Sequence, residues 1–284
     1  MIDLSNKTVG VIGGKGKTGS QFARLFRKLG ADVLVSDLRT RLSNEELISR
    51  SDIVVFSVPL HLSEEIIRAQ VGNLKSGQIV LDVSSLKTKQ VKMMNKGKAE
   101  VIGMHPLFGP TKRSFDGLTL ILCPGNCRKL TSKGVGEIFK MVGMKVVEMS
   151  AEEHDKLMTV VQVVPHLKTI LAGELLRHLG IHPDKSREIS TPIYRLELDI
   201  IGRIFSQEGM LYSSIVAGNP NTKDLLKFLK KTVDSYLKEV ETGNVKALDK
   251  RFSNVQKFLG KFSQNAFDES EQIINEMQKW MSKK

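Results

Sequence analysis

A run of small and β-branched residues, Thr8–Gly13, leads straight into Gly14-Lys15-Gly16-Lys17-Thr18-Gly19 and then into an amphipathic stretch. That stretch, Thr18–Leu29, puts Phe22, Leu25, Phe26 and Leu29 on one helical face. Few backbones accommodate a buried strand, a glycine turn and a helix in this order. The first glycine serves the tight turn, the second lets a ligand approach the backbone, and the third lets helix pack closely on strand. The N–H groups that open the helix then lack intrahelical partners and face outward, which suits a phosphate.

Gly14-x-Gly16-x-x-Gly19 alone is a weak signal, and its context strengthens it. A second strand-like run, Asp32–Asp37, ends in an acid 18 residues beyond Gly19, where a carboxylate can accept from ribose hydroxyls. Gly16-Lys17-Thr18 also suggests the P-loop of nucleotide hydrolases. That motif needs a glycine five positions before Gly16, and Val11 stands there. The expected cofactor site is therefore Gly14, Gly16, Lys17, Thr18 and Gly19 at a pyrophosphate and Asp37 at the ribose, with Ser57 and Pro59 after the third strand. NAD is expected over NADP because a carboxylate repels a 2′-phosphate, although Arg39 and Arg41 could offset this.

Further strands are expected at Asp52–Val58, Gln78–Ser84, Glu100–Met104, Thr119–Cys123 and Lys145–Glu148. Alternation with helices implies a Rossmann-like, doubly wound parallel sheet. From Glu152 onward only helical periodicity remains. Apolar stripes run through Leu225–Val240, Phe252–Phe262 and Ile273–Met281, with breaks at Gly218-Asn219-Pro220-Asn221 and Thr242-Gly243-Asn244. The division expected is a dinucleotide-binding domain over 1–150 and an all-helical substrate and dimerisation domain over 151–284. Helices so striped in a small domain imply burial against a second subunit.

Net charge is +12, from 43 Lys and Arg against 31 Asp and Glu. The one acid-poor patch, Lys87–Lys98, has no aromatic on which bases could stack, so nucleic acid is not expected as a partner. A dianionic substrate would benefit from the same field. No apolar run approaches the ~18 residues of a membrane span and no leader-like segment opens the chain, so a cytoplasmic protein is expected. Cys123 and Cys127 are read as free thiols and no metal site is expected.

Three segments bear on the reaction. Gly103-Met104-His105-Pro106-Leu107-Phe108-Gly109-Pro110 sets a histidine at a strand end before a rigid loop, where such sheets bind ligands. Asp82-Val83-Ser84-Ser85-Leu86-Lys87 closes the preceding strand. Ser190-Thr191-Pro192-Ile193-Tyr194-Arg195-Leu196-Glu197-Leu198-Asp199-Ile200-Ile201-Gly202-Arg203-Ile204-Phe205-Ser206-Gln207 is the third. Together they closely resemble the prephenate dehydrogenase family, especially the dehydrogenase portion of the bacterial enzymes fused to chorismate mutase. The resemblance covers nearly the whole chain, without a chorismate mutase part or a separate C-terminal regulatory domain. It implies NAD-dependent oxidative decarboxylation of prephenate to 4-hydroxyphenylpyruvate, in tyrosine biosynthesis, by a homodimer.

By the same resemblance His105 accepts the ring hydroxyl proton and Ser85 orients histidine and hydroxyl. Arg203 binds a substrate carboxylate, and His166, in the helix after His154-Asp155, lines the pocket; Arg195 and Gln207 are further pocket candidates. The chemistry of the residues agrees. Arginine binds a carboxylate bidentately, and neutral histidine is a proton acceptor near pH 7. Arg203 stands in an apolar neighbourhood, where an unpaired charge would be costly. His166 could equally be a satisfied helix histidine, and Arg195 fits an ion pair with Glu197 or Asp199 better than the pocket. Pro165 inside a helical run implies a kink, one that could aim His166 into a cleft between the domains. Thr111-Lys112-Arg113 replaces the acid that often follows the family's histidine loop. Rival readings are arogenate as substrate, a generic hydroxyacid dehydrogenase, and a nucleotide-sensing or nucleic-acid-binding regulator.

Overall fold

A computed structural model describes residues 2–109 and 114–281. Pro110 and the Thr111-Lys112-Arg113 departure lie outside the described residues.

All seven expected strands form: β1 (Thr8–Ile12), β2 (Asp32–Ser36), β3 (Ile53–Phe56), β4 (Ile79–Asp82), β5 (Glu100–Pro106), β6 (Thr119–Pro124) and β7 (Lys145–Glu148). Their order in the sheet is β2-β1-β3-β4-β5-β6-β7, so the chain reverses direction across the sheet between β1 and β3. Helices α1 (Lys17–Lys28), α2 (Asn44–Ser49), α3 (Leu60–Gln70), α4 (Thr88–Met94) and α5 (Lys129–Lys140) link them.

Strand periodicity builds a core on each face. Val9, Val11, Ile53 and Val55 meet Phe22 and Phe26 of α1, and Phe22 stands edge-on to Phe139 of α5 with ring centres 6.1 Å apart. Ile12, Val54 and Phe56 point the other way, onto Leu47, Ile48, Ile67 and Met94.

The sheet is not wholly parallel. β5 and β6 pair antiparallel, with His105 opposite Ile121. The segment between them, 107–118, contains no helix among the described residues. A parallel pairing needs a crossover of a dozen or more residues, usually helical, and the described residues of this connection form no helix. β5 also runs two residues beyond its expected end at Met104, so His105 lies within the strand rather than after it.

After β7 no strand occurs among the described residues. Helix α6 (Ala151–Met158) leads through a π-helical turn, Thr159–Val163, into α7 (Val164–His178). Then follow α8 (Pro183–Glu188), α9 (Pro192–Phe205), α10 (Gly209–Gly218), α11 (Thr222–Glu241), α12 (Val245–Leu259) and α13 (Lys261–Met281). The chain forms two compact units, Met1–Val163 with Met210–Pro220, and Val164–Gly209 with Asn221–Lys284.

The break between compact units at 163/164 has a reason visible in hydrogen bonds. Asp155 of α6 accepts the backbone N–H groups of Lys87 and Thr88, both at 2.9 Å, which ties α6 to the sheet unit. Asn219, at the end of α10, donates its amide to the Asp155 carbonyl at 2.8 Å and ties α10 there as well.

Within the second unit, Lys168 of α7 pairs with Glu197 of α9 at 2.9 Å. Arg251 of α12 pairs with Glu239 of α11 and lies over the Tyr236 ring. Only Thr169, Ser186, Leu198 and Thr222 are buried among this unit's described residues. The expected apolar stripes form and stay open to solvent within one chain, with Phe252 71% and Phe258 84% exposed.

Candidate active site

The glycine loop lies at the C-terminal end of β1, beside the start of α3, where the strand order reverses. Gly13, not Gly14, is the residue in the left-handed region, at φ +77°, so the tight turn falls one position earlier than expected. A Cβ there would strike the Ser57 carbonyl. On Gly14 it would come within 2.7 Å of Val35 Cγ1, and on Gly19 it would strike the Gly13 carbonyl and lie 2.9 Å from Gly14 Cα. Gly16 precedes α1 and provides no side-chain cap, which leaves the first-turn N–H groups, including those of Lys17, Thr18 and Gly19, aimed at the cradle.

Ser57 donates its N–H to the Ile12 carbonyl at 2.8 Å, and Pro59 precedes the first turn of α3. Asp37 is half-buried just past β2 and accepts the N–H of Lys15 at 3.0 Å and of Leu38 at 2.8 Å. It therefore latches the glycine loop while keeping acceptor capacity for another donor. Uncapped helix, bare backbone and adjacent carboxylate fit a dinucleotide.

Across the sheet, β5 carries His105, only 2% exposed. Its Nδ1 lies 2.8 Å from Nε2 of His154, and Nδ1 of His154 lies 2.8 Å from Oδ1 of Asp155. The other ring nitrogen, Nε2 of His105, faces the Gln162 amide nitrogen at 3.2 Å. Burial, with the nearby His154 and the Lys87 ammonium, holds the His105 pKa well below the ordinary histidine value against an opposing pull from Asp155. Lys87 is wholly buried and binds both oxygens of Asp82, at 2.6 and 2.7 Å. Ser84 bonds Asp82 as well, and its hydroxyl oxygen lies 3.3 Å from the Lys87 ammonium.

Ser85 is half-buried and makes no side-chain hydrogen bond to His105 among the described residues. Its neighbour Ser84 is the one tied to the ion pair.

His154, Asp155 and Gln162 were not singled out by sequence reasoning. His154-Asp155 serves there only as a landmark, although a capping serine, Ser150, starts a helix that presents both on its second turn. Pro165 gives a clearer signal. The expected kink is a π-helical turn ending two residues before the proline, where wider backbone spacing relieves the clash of its ring with the preceding turn. That turn delivers Gln162 to His105.

In the second unit, α7 carries His166, α9 carries Arg195 and Arg203, and Gln207 follows α9. His166 is half-buried, and burial pushes its pKa down. Arg195 departs from its favoured structural reading. Glu197 pairs with Lys168 and Asp199 with Arg187, while Arg195 Nε is out of solvent with no hydrogen-bond partner among the described residues. Arg203 is exposed and makes no ion pair among the described residues, and its carbonyl accepts the Gln207 amide at 3.0 Å.

Residues 26–148 match the family description "Prephenate dehydrogenase, nucleotide-binding domain" and residues 150–254 match "Prephenate dehydrogenase, dimerization domain". The chain is 30% identical over 267 residues to the T-protein of Haemophilus influenzae, covering 94% of this chain and 71% of that protein. It belongs to the prephenate dehydrogenase family. A relative from Methanocaldococcus jannaschii, named "Probable arogenate/prephenate dehydrogenase", is 32% identical over 240 residues, 78% of this chain and 54% of its own length.

Two solved structures share the fold. The prephenate dehydrogenase of Aquifex aeolicus, in complex with hydroxyphenyl propionate and NAD+, has a TM-score of 0.66 at 22% identity, covering 90% of this chain and 98% of that one. The arogenate dehydrogenase of Synechocystis has a TM-score of 0.65 at 16% identity, with 93% and 99% covered. The match to the family's nucleotide-binding domain begins at residue 26, so the glycine loop's assignment rests on its own geometry.

Proposed function

We propose that this member of the family is an NAD-dependent prephenate dehydrogenase, making 4-hydroxyphenylpyruvate by oxidative decarboxylation in tyrosine biosynthesis. The observation that carries the reading is His105, a buried histidine held neutral and facing Gln162 through Nε2. When bound, NAD supplies a hydride acceptor for the ring carbon that bears the hydroxyl. Nε2 of His105 takes the hydroxyl proton as that carbon becomes a carbonyl. Loss of the ring carboxylate as carbon dioxide returns its bonding electron pair to the ring, which becomes aromatic.

The remaining sequence expectations fit this chemistry. Gly14, Gly16 and Gly19 with the α1 N-terminus, where Lys17 and Thr18 lie, suit the pyrophosphate, and Asp37 suits the ribose of NAD over the phosphate of NADP. Ser57 and Pro59 border the same strand ends. Among the described residues Arg203 and Arg195 have no acidic partner, as befits clamps for the two substrate carboxylates, and Gln207 follows Arg203 on the next turn. Among the described residues the Ser85 hydroxyl makes no hydrogen bond, so it can meet the substrate.

A homodimer through the second unit is part of the proposal. The matched family description names a dimerization domain, and the exposed stripes on α11, α12 and α13 exceed what a soluble surface ordinarily carries. The same unit also holds an apolar cavity of about 570 Å³ lined by Leu176, Ile181, Leu198, Ile201 and Phe205. Among the described residues no helix is long and apolar enough to cross a membrane. The two free thiols suit a reducing compartment, which supports a cytoplasmic site of action.

The deciding assay is NADH formation on addition of prephenate, with arogenate and NADP run in parallel. Prephenate with NAD should give the highest kcat/KM. A preference for arogenate would select the second reading, which the likeness to the Synechocystis enzyme keeps in view. Turnover of neither substrate would overturn both.

A further inference from the structure

We propose that His154 and Asp155 form a positioning relay that fixes the tautomer of His105, keeping Nε2 bare as the proton-accepting atom. The inference rests on the reading of His105 as the base, and it adds residues that touch the base rather than the substrate.

Asp155 anchors the argument. Its Oδ1 accepts the Lys87 N–H at 2.9 Å and faces His154 Nδ1 at 2.8 Å, while Oδ2 accepts the Thr88 N–H at 2.9 Å. A carboxylic acid would have to turn its own proton toward one of these groups, so three convergent donors demand the carboxylate. Burial pulls its pKa up, yet His154, Thr88 and Lys87 outweigh that and leave it lowered.

The rest follows from counting protons on neutral imidazoles. His154 must carry its proton on Nδ1 to bond the carboxylate, which leaves a lone pair on Nε2. The 2.8 Å contact from that nitrogen to His105 then needs a proton on His105 Nδ1. A neutral ring has one N–H, so His105 Nε2 holds a lone pair. The Gln162 amide, at 3.2 Å, donates to it in the absence of substrate. A second proton on His105 is opposed by burial, by His154 and by the Lys87 ammonium, itself bound to Asp82, against a contrary pull from Asp155. In the reaction the substrate O–H bond breaks and an Nε2–H bond forms. The imidazolium charge on His105 is then met by His154 Nε2, with the Asp155 carboxylate behind it, and no second proton needs to move.

Three variants test this in the full-length enzyme, with kcat, the KM for each substrate, the pH profile and the histidine ¹⁵N spectrum as readouts. His154→Leu removes the acceptor and should lower kcat by ~10²- to 10³-fold, while the KM for NAD is unchanged. His154→Gln presents an oxygen that can accept from His105 Nδ1–H, and should recover to within ~10-fold of wild type. Without the neighbouring imidazole its acid limb should move to higher pH. Asp155→Asn can turn an N–H toward His154, reverse both tautomers and cost up to ~10⁴-fold, as the equivalent change does in a serine-protease triad. The ¹⁵N spectrum should show His105 protonated at Nδ1 in wild type and at Nε2 in Asp155→Asn. The relay is overturned if wild type shows Nε2–H, or if His154→Leu keeps kcat within a few-fold. It is overturned too if Gln rescues no better than Leu with the limb unmoved, which marks a packing role. His105→Asn separates the two readings. If it stays active the base assignment itself fails, whereas an inactive His105→Asn beside a normal His154→Leu sinks the relay alone.

Discussion

The Lys87 ammonium lies between the two carboxylate oxygens of Asp82, at 2.6 and 2.7 Å, and neither side chain reaches solvent. The same residue's backbone N–H holds Asp155, so one lysine supports both the ion pair and the carboxylate behind His154. Breaking such a pair from one side strands a buried charge. Lys87→Met should cost about 3–5 kcal/mol of stability, and Lys87→Met with Asp82→Leu should recover part of it. Urea denaturation of the three proteins checks this; a double variant less stable than Lys87→Met would show that the carboxylate is not the stranded group.

His105 makes stability depend on pH. Its folded-state pKa lies below its unfolded value, so its contribution is fully present above the unfolded pKa, ~6.5, and is lost as pH falls toward the folded pKa. The melting temperature should therefore decline below about pH 6.5 more steeply in wild type than in His105→Asn. Parallel slopes would mean that His105 does not stay neutral in the folded protein.

Asp37 holds the Lys15 N–H, and in the proposed function it also meets the ribose. Asp37→Ala should narrow the preference for NAD over NADP in kcat/KM by ~10-fold, the value of one 1.4 kcal/mol interaction. It should also loosen the loop enough to raise the KM for both cofactors. An unchanged NAD/NADP ratio would remove Asp37 as the selector.

Arg203→Ala should raise the KM for prephenate steeply, by ~2–5 kcal/mol in binding, with little change in the KM for NAD. Arg203→Lys should recover only part, since the planar fork is lost. Arg195→Ala should behave like Arg203→Ala if its guanidinium, whose Nε has no hydrogen-bond partner among the described residues, also meets a carboxylate, and should instead lower the melting temperature alone if it only packs.

Phe258, 84% exposed on α12, tests the subunit interface. Phe258→Glu should convert a dimer to a monomer in light scattering at micromolar concentration, because a charge would replace a large apolar contact. A wild-type chain that already runs as a monomer would refute the homodimer outright.

The sequence alone determined seven strands, the glycine loop with its carboxylate, the helical second half and the family, because each rests on local patterns. Period-two runs such as Ile53-Val54-Val55-Phe56 and a face such as Phe22, Leu25 and Phe26 declare themselves within a few residues. His105 was legible for the same reason, through its Pro/Gly loop. Only the tertiary structure decided that β6 runs against β5, that the positive-φ turn falls on Gly13, and that α6 and α10 belong with the sheet. It also decided that His154, Asp155 and Gln162 surround His105, and that Glu197 and Asp199 are already paired with Lys168 and Arg187 rather than with Arg195. These are contacts between positions such as 105 and 154, whose separation along the chain leaves no periodicity to read. Which side chains meet there depends on where the backbone returns, and the packing of α6 and its π-turn onto the sheet sets that return.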